Sequence, residues 1–424
     1  MIGMIRRFSV NNFGPFPLGF TFIADDSSDS NLNNRCSMII ARNNSGKSSF
    51  IAAFRLLQNL ILQKEAVDSK IKNYINKDAE VPDYLSFNIV LDLNVKDNDP
   101  IVLDYTISIN LRNFAIIEEK LDVVDHPHSS SYITTEKNIR SVIVNGYKQL
   151  KFRPSNQTLI KMLLGNEFSA TGTRSYFDSY LKNNDCSFDP YLYSALRSLV
   201  DAFQDIYLLS PNENVLGSVN PDALTKYFNS MDLGMELRVV KEPDDSDTIR
   251  RIWDAFYQNK SHQEMELLRS GRKIKEFNMM VDRVMYYGSI SDGRLKASHI
   301  EMKIDDDWRD VRVCDLSSGI QRLVTLYSMI SDQRAGITFI IDEIDRKLHT
   351  NLTLKIIQMF LSNKNRCQLI FTSHETELLN SDWIDYNNLW IIDKSEGDGS
   401  YLYACPRVLV DSDLKQMYID NKLI

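Results

Sequence analysis

The sequence predicts an α/β fold in which a mainly parallel sheet carries a Gly/Ser/Asn loop before a helix, beside an antiparallel β subdomain and interrupted by an inserted, mainly helical lobe. Three observations predict it. The run Cys36–Ile40 is short and apolar and passes through a Gly/Ser/Asn loop into a helical pattern. Uniformly apolar runs return in the last third, at ITFII, QLIF and LWII, as in strands covered on both faces. Two segments between them, YLSFNIVLDLNV and IVLDYTISINL, alternate apolar and polar residues, as half-buried antiparallel strands do.

In chain order, residues 1–125 read as the N-terminal half of the core, with antiparallel strands and the loop. Its helix is marked by Phe50, Ile51, Ala53, Phe54, Leu57 and Ile61, which fall on one face. Residues 126–310 change to polar loops and patterns such as DALTKYFNSM and EFNMMVDRVM, which read as helix. No sustained heptads appear there, so long coiled-coil arms are not expected. Residues 311–424 read as the C-terminal half of the core.

Composition excludes several classes. With 424 residues and 43% hydrophobic content the chain can bury a real core. No apolar run reaches the roughly 18 residues of a membrane span, and the start lacks a secretory pattern, so a cytoplasmic protein without a membrane partner is expected. The five cysteines are scattered without a CxxC pair, which argues against a disulfide framework. A net charge of -8 makes any DNA contact a local patch, for which Arg269, Arg272, Lys273 and Lys275 are candidates, with a solvated helix face as the plain alternative.

The residues with chemistry form four groups. First, ARNNSGKSS places Ala41, Gly46, Lys47 and Ser48 at the positions of a G-x-x-x-x-G-K-[ST] phosphate loop, enclosing Arg42, Asn43, Asn44 and Ser45. Backbone N–H groups of such a loop surround phosphate oxygens, Lys47 reaches the β- and γ-phosphates of ATP, and Ser48 ligates Mg²⁺. Asn43 either reaches the γ-phosphate or steadies the turn, and Ser49 reads as a helix residue. Ala41 stands where glycine is usual, which an ordinary negative φ accommodates.

Second, ITFIIDEIDRKLH delivers Asp342 and Glu343 at the carboxyl end of a buried strand, as a Mg²⁺-holding acid and a base for the attacking water. The alternative is two acids capping the next helix. Third, DLSSGIQRLVTLYSMI sets Ser317, Ser318 and Gly319 at a helix N-terminus, an N-cap that is also a potential anion site. Fourth, QLIFTSHETELL ends another buried strand near His374, either a capping histidine or a γ-phosphate sensor.

The order P-loop, L-S-S-G-x-Q, D-E and T-x-H resembles that of ABC/SMC-like P-loop ATPases, with L-S-S-G-x-Q close to the L-S-G-G-Q signature. The set is similar to OLD-family-like ATPases and to the ATPase subunits of bacterial abortive-infection and other anti-phage defence systems. DEIDRKLHTNLT also resembles their D-E-x-D-x-x-L-H-P segment, with Thr350 in place of proline. The resemblance covers residues 1 to about 125 and about 310 to 424.

It implies an ABC-type head that hydrolyses ATP with Mg²⁺, and a homodimer or higher oligomer in which one chain's signature meets the other's nucleotide. It further implies a separately encoded effector nuclease of Toprim-like or HNH type, and a DNA or phage-protein cue. A DNA-repair or chromosome-maintenance ATPase without an effector is the alternative. Gln149 and Gln157 do not sit in a recognisable Q-loop context. The 50 residues after His374 (424 minus 374) are too few for a Toprim domain, and no Asp/Glu/His cluster spaced like a metal-nuclease site is expected in the middle segment.

Overall fold

The computed structural model describes residues 2–24, 35–42, 44–62, 69–75, 83–94, 101–124, 130–136, 139–144, 148–152, 190–210, 221–233, 236–259, 275–282, 284–291, 294–304, 306–310, 317–331, 336–362, 367–381, 383–384, 388–395, 399–405 and 414–419. In chain order the strands begin with β1 (Ile2–Asn11), β2 (Phe20–Ile23) and β3 (Cys36–Ala41), which leads to α1 (Lys47–Ile61). There follow β4 (Tyr84–Asn94), β5 (Ile101–Asn110), β6 (Ile116–Val124), β7 (Ser130–Glu136), β8 (Ile139–Val144) and β9 (Lys148–Phe152). Next come α2 (Pro190–Gln204), β10 (Ile206–Leu209), α3 (Pro221–Ser230), β11 (Leu237–Lys241) and α4 (Asp247–Asn259). Strands β12 (Lys275–Val281), β13 (Val284–Ser291), β14 (Arg294–Ile304) and β15 (Asp307–Asp310) precede α5 (Ser318–Ser331). The chain closes with β16 (Thr338–Ile341), α6 (Thr350–Ser362), β17 (Gln368–Ser373), β18 (Leu389–Ser395), β19 (Gly399–Ala404) and α7 (Leu414–Ile419).

Two compact units result. Unit one holds Met1–Ser210, Arg334–Ile344 and Asn365–Ile424; unit two holds Pro211–Gln333 and Asp345–Lys364.

Unit one contains two sheets. The antiparallel one has the order β2-β1-β4-β5-β6-β7-β8-β9. Its alternation is the one expected: Leu85, Phe87, Ile89, Leu91 and Leu93 of β4 are buried, and lie opposite Ile109, Ile107, Tyr105, Leu103 and Ile101 of β5. The other sheet has the order β10-β16-β17-β3-β18-β19, parallel except at the β19 edge. Every residue of β3, β16 and β17 is buried, the few polar ones included, as in a sheet covered on both faces.

Helix α1 joins the two sheets into one core. Phe54 stacks on Phe8 at 3.7 Å between ring centroids, and Phe50 meets Phe20 and Phe22. Ile39, Ile340, Ile370 and Trp390 of the parallel sheet belong to the same cluster. A buried amide fixes the helix from the other side: Gln58 Nε2 donates to the carbonyls of Phe203 and Ile206, at 2.8 and 2.6 Å. All six α1 residues expected on the apolar face are buried.

Unit two is built on the sheet β11-β14-β13-β12, with β15 on β14. Ile249 and Ile252 of α4 pack on Val284, Tyr286, Ile290, Leu295 and Ala297. This corrects the expected helix over EFNMMVDRVM, which is instead the pair β12 and β13, turned at Asp282 with a left-handed φ of 50°. Mixed Met, Val and polar residues fit both periods over so short a run, and the turn residue decided it. More broadly, the described part of residues 126–310 contains helices α2–α4 and strands β7–β15, so it is not mainly helical. Arg269, Arg272, Lys273 and Gln157 lie outside the described residues; Lys275 opens β12 and Gln149 lies in β9. Among the described residues no helix is long and apolar enough to cross a membrane.

Candidate functional site

In unit one the parallel register places three strand ends side by side. Ile341 of β16 lies opposite Phe371 of β17, Ser373 of β17 opposite Ile40 of β3, and Ile392 of β18 opposite Ala41. The residues just beyond these carboxyl ends are Asp342 and Glu343, His374, and the loop from Arg42. This is the edge at which parallel α/β sheets take their ligands.

The loop is held by its own polar contacts. Ser45 Oγ donates to Arg42 O at 2.6 Å, and the Lys47 ammonium donates to the carbonyls of Ala41 and Arg42 at 2.6 and 3.0 Å. Lys47 is only 7% exposed, so its charge is stabilised by these oxygens at the loop itself. Gly46 caps α1 with φ 112°, and a Cβ there would stand 2.8 Å from Pro15 Cγ and 3.0 Å from Phe16 Cζ. Both the dihedral and the crowding therefore require glycine. No side chain caps α1 and no acid lies in its first turn, so its N-terminal dipole is not offset locally.

Ala41 is the last residue of β3 and has no positive φ, which is why a Cβ is tolerated there. Arg42, Asn44 and Ser48 are exposed, whereas Ser49 is partly buried against Gly14 and acts in packing. Asn43 lies outside the described residues.

The acids are linked by a threonine. Asp342 is 4% exposed, and its Oδ1 accepts a 2.7 Å hydrogen bond from Thr372 Oγ1. The same Thr372 oxygen accepts from the Glu343 N–H at 2.8 Å. Glu343 holds a left-handed φ of 47°, an uncommon state for a non-glycine residue. Its carboxylate lies 3.5 Å from His374 Nε2, with both side chains part-exposed. Thus one side chain of β17 fixes one acid and orients the backbone of the next. The following helix begins only at Thr350, where His349 O accepts from Leu352 N and Thr353 N. Asp342 and Glu343 are therefore not its caps.

Thr372 was not singled out from sequence. Its signal was present, because a hydroxyl interrupts the apolar run QLIF one residue before the strand ends. Arg42 has a further neighbour in the Tyr418 phenol, whose pKa is raised mainly by burial, lowered by Arg42 and raised by Asp393. Tyr418 lies on α7, which packs on the 3-10 turn Thr376–Asn380 beyond His374 and is tied to it by the pair Lys415–Glu377.

In unit two, Ser317 Oγ accepts the Ile320 N–H at 3.2 Å, and Ser317 O accepts the Gln321 N–H at 3.1 Å, which makes Ser317 the N-cap of α5. Ser317 and Ser318 are exposed. Gly319 has a packing reason: a Cβ would approach Lys347 O to 2.9 Å. Ile320, Leu323, Val324 and Tyr327 form the buried face expected of this helix.

A family model described as "AAA domain, putative AbiEii toxin, Type IV TA system" matches residues 38–380, from β3 to the turn after His374. Among solved structures, the chain is similar to an SMC head bound to the C-winged helix domain of ScpA, with 13% identity, 94% of this chain and 97% of that chain covered, and a TM-score of 0.40. It is also similar to the SMC head domain from Thermotoga maritima, with 12% identity, 96% and 100% covered, and a TM-score of 0.37. No curated protein matches.

Proposed function

The chain belongs to this AAA-domain family, and from that premise we propose that the strand-end site of unit one binds ATP with Mg²⁺ and hydrolyses it. The observation that carries the proposal is the Asp342–Thr372–Glu343 linkage beside the Lys47 loop. In this reading, Lys47 turns from the Ala41 and Arg42 carbonyls to the β- and γ-phosphates, while the N–H groups from Gly46 to Ser49 surround phosphate oxygens. The Ser48 hydroxyl and the Asp342 carboxylate, hard oxygen donors, would hold Mg²⁺, Asp342 through water. That ion, when bound, neutralises charge between the β- and γ-phosphates. Glu343 accepts a proton from the attacking water or orients it, and His374 beside it contacts the γ-phosphate. Phosphate release from ATP by the purified chain should need Mg²⁺ and stop on chelation; release indifferent to chelation would contradict the site.

We further propose that the active form contains two or more copies, with Ser317, Ser318 and Gly319 of one chain meeting the nucleotide on the Lys47 loop of another. The support is the family resemblance of the L-S-S-G-x-Q segment. Mixing a Lys47→Ala chain with a Ser317→Arg chain should restore turnover that neither has alone. Failure of every mixture, with both chains folded, would remove the shared site.

The biological role we propose is a cytoplasmic ATPase of the anti-phage, abortive-infection type, similar to OLD-family-like defence ATPases, that controls a separate effector nuclease of Toprim-like or HNH class. The family description, which names a toxin of a toxin–antitoxin system, supports this setting. Helix α7, tied to the turn after His374, offers a route by which nucleotide state reaches an effector. Expression should lower phage plating efficiency in a Glu343-dependent way. DNA-damage sensitivity on deletion, without phage protection, would favour the DNA-maintenance alternative.

A further inference from the structure

The sheet of unit two brings Glu242 together with three ionisable groups of β14 and β15, His299, Glu301 and Asp310. His299 and Glu301 occupy alternate positions on β14, so both face the same side. Asp310, at the end of β15, lies opposite Glu301 in the strand register. Glu242 follows β11, where its N–H donates to Ala297 O at 2.9 Å. His299 is 7% exposed. Its Nδ1 lies 2.9 Å from Glu242 Oε1, and its Nε2 lies 3.0 Å from Asp310 Oδ1 and 3.6 Å from Glu301 Oε1.

We propose that His299 Nε2, Glu301 Oε1 and Asp310 Oδ1 are the ligands of a divalent transition-metal ion, a site separate from the nucleotide chemistry of unit one. Three observations point to it. The buried imidazole has no hydrogen bond of proper geometry at either nitrogen, although carboxylates surround it. A histidinium whose role was only ion pairing would donate from both nitrogens. The three ligand atoms lie within 4.8 Å of one another. The two separations from Nε2 fit edges of a coordination polyhedron with bonds of about 2.0–2.2 Å.

The second oxygens of Glu301 and Glu242 are already engaged. Glu301 Oε2 accepts from Arg238 Nε at 2.5 Å, and that guanidinium lies 4.3 Å over the Trp308 ring. Ser246 Oγ donates to Glu242 Oε2 at 3.3 Å. This leaves Glu301 Oε1 for the metal and Glu242 Oε1 within 2.9 Å of Nδ1, from where it would accept the Nδ1 proton once a metal orients the ring. The charge also matches. Three carboxylates and Arg238 around a neutral imidazole leave two negative charges, which one divalent cation neutralises.

One imidazole with two carboxylates suits Zn²⁺, Mn²⁺ or Co²⁺. The Asp310 side chain is 59% exposed, which gives an entry path, and three protein ligands leave coordination positions for water.

The test uses the full chain, stripped with chelator and free of nucleotide, with Co²⁺ as the probe read by its d–d absorption and by equilibrium dialysis. One Co²⁺ per chain should bind and be displaced by Zn²⁺. His299→Gln and Asp310→Asn should weaken it about 10- to 100-fold, while Asp342→Asn leaves it unchanged. Because Asp310 is at the surface, its variant keeps the test open even if His299→Gln does not fold. Absence of Co²⁺ binding, or binding that both folded variants retain, or binding lost in Asp342→Asn, would overturn the proposal.

Discussion

The two acid–histidine clusters of this protein are built in opposite ways. In unit one, Asp342 and Glu343 are adjacent in sequence at the end of one strand, and His374 follows the neighbouring strand. In unit two, His299 and Glu301 come from β14, Asp310 from β15 and Glu242 from the residue after β11, and antiparallel register joins these strands. The first histidine is part-exposed at a strand end; the second is buried within a sheet. A strand end projects consecutive residues toward a ligand whatever its partners are. A register-built cluster exists only once the correct strands have paired, so a one-residue slip would disperse it.

The largest expected effect lies at the strand end. Glu343→Gln should lower ATP turnover by about 10²–10⁴-fold with nucleotide affinity retained, measured as phosphate release beside an affinity titration. Turnover within threefold of wild type would remove Glu343 as the base.

Next comes the loop backbone. Gly46→Ala forces a side chain onto φ 112° and into Pro15, and should cost about 1–3 kcal/mol in chemical denaturation. A comparable loss is expected from Thr372→Val, which removes the hydroxyl shared by Asp342 and the Glu343 N–H, about 1–3 kcal/mol, with reduced turnover. Thr372→Ser should recover most of both. If Thr372→Val is silent in both readouts, the acids are positioned by the strand alone.

The smallest effect belongs to unit two. In chelator, Asp310→Asn should change stability by less than about 0.5 kcal/mol, since its side chain is largely exposed. A large metal-free loss would instead make the cluster a structural ion-pair network.

How much was legible follows the same division. The strand–loop–helix from Cys36 to Ile61, the D-E strand end and the placement of His374 after its strand could be read because each is written in contiguous residues. The alternation of β4 and β5 was legible for the same reason. Thr372 was obscured because its importance depends on β16 lying beside β17, a fact of sheet order. The β12–β13 hairpin was misread as helix because six or seven residues of mixed Met, Val and polar character do not separate the two periods. The Glu242–Asp310 cluster, in a middle segment where no Asp/Glu/His cluster spaced like a metal-nuclease site was expected, was invisible because no spacing rule connects Glu242 with residues whose proximity is created by register.

In the proposed function the strand-end site holds ATP through Lys47. Calorimetric titration of Mg²⁺-ATP into the wild-type chain and into Lys47→Ala tests it most directly. Removing the ammonium, worth about 1.5–3 kcal/mol in charged hydrogen bonds, should weaken binding roughly 10- to 150-fold while the circular dichroism spectrum is unchanged. Equal affinity in the two proteins would contradict the account.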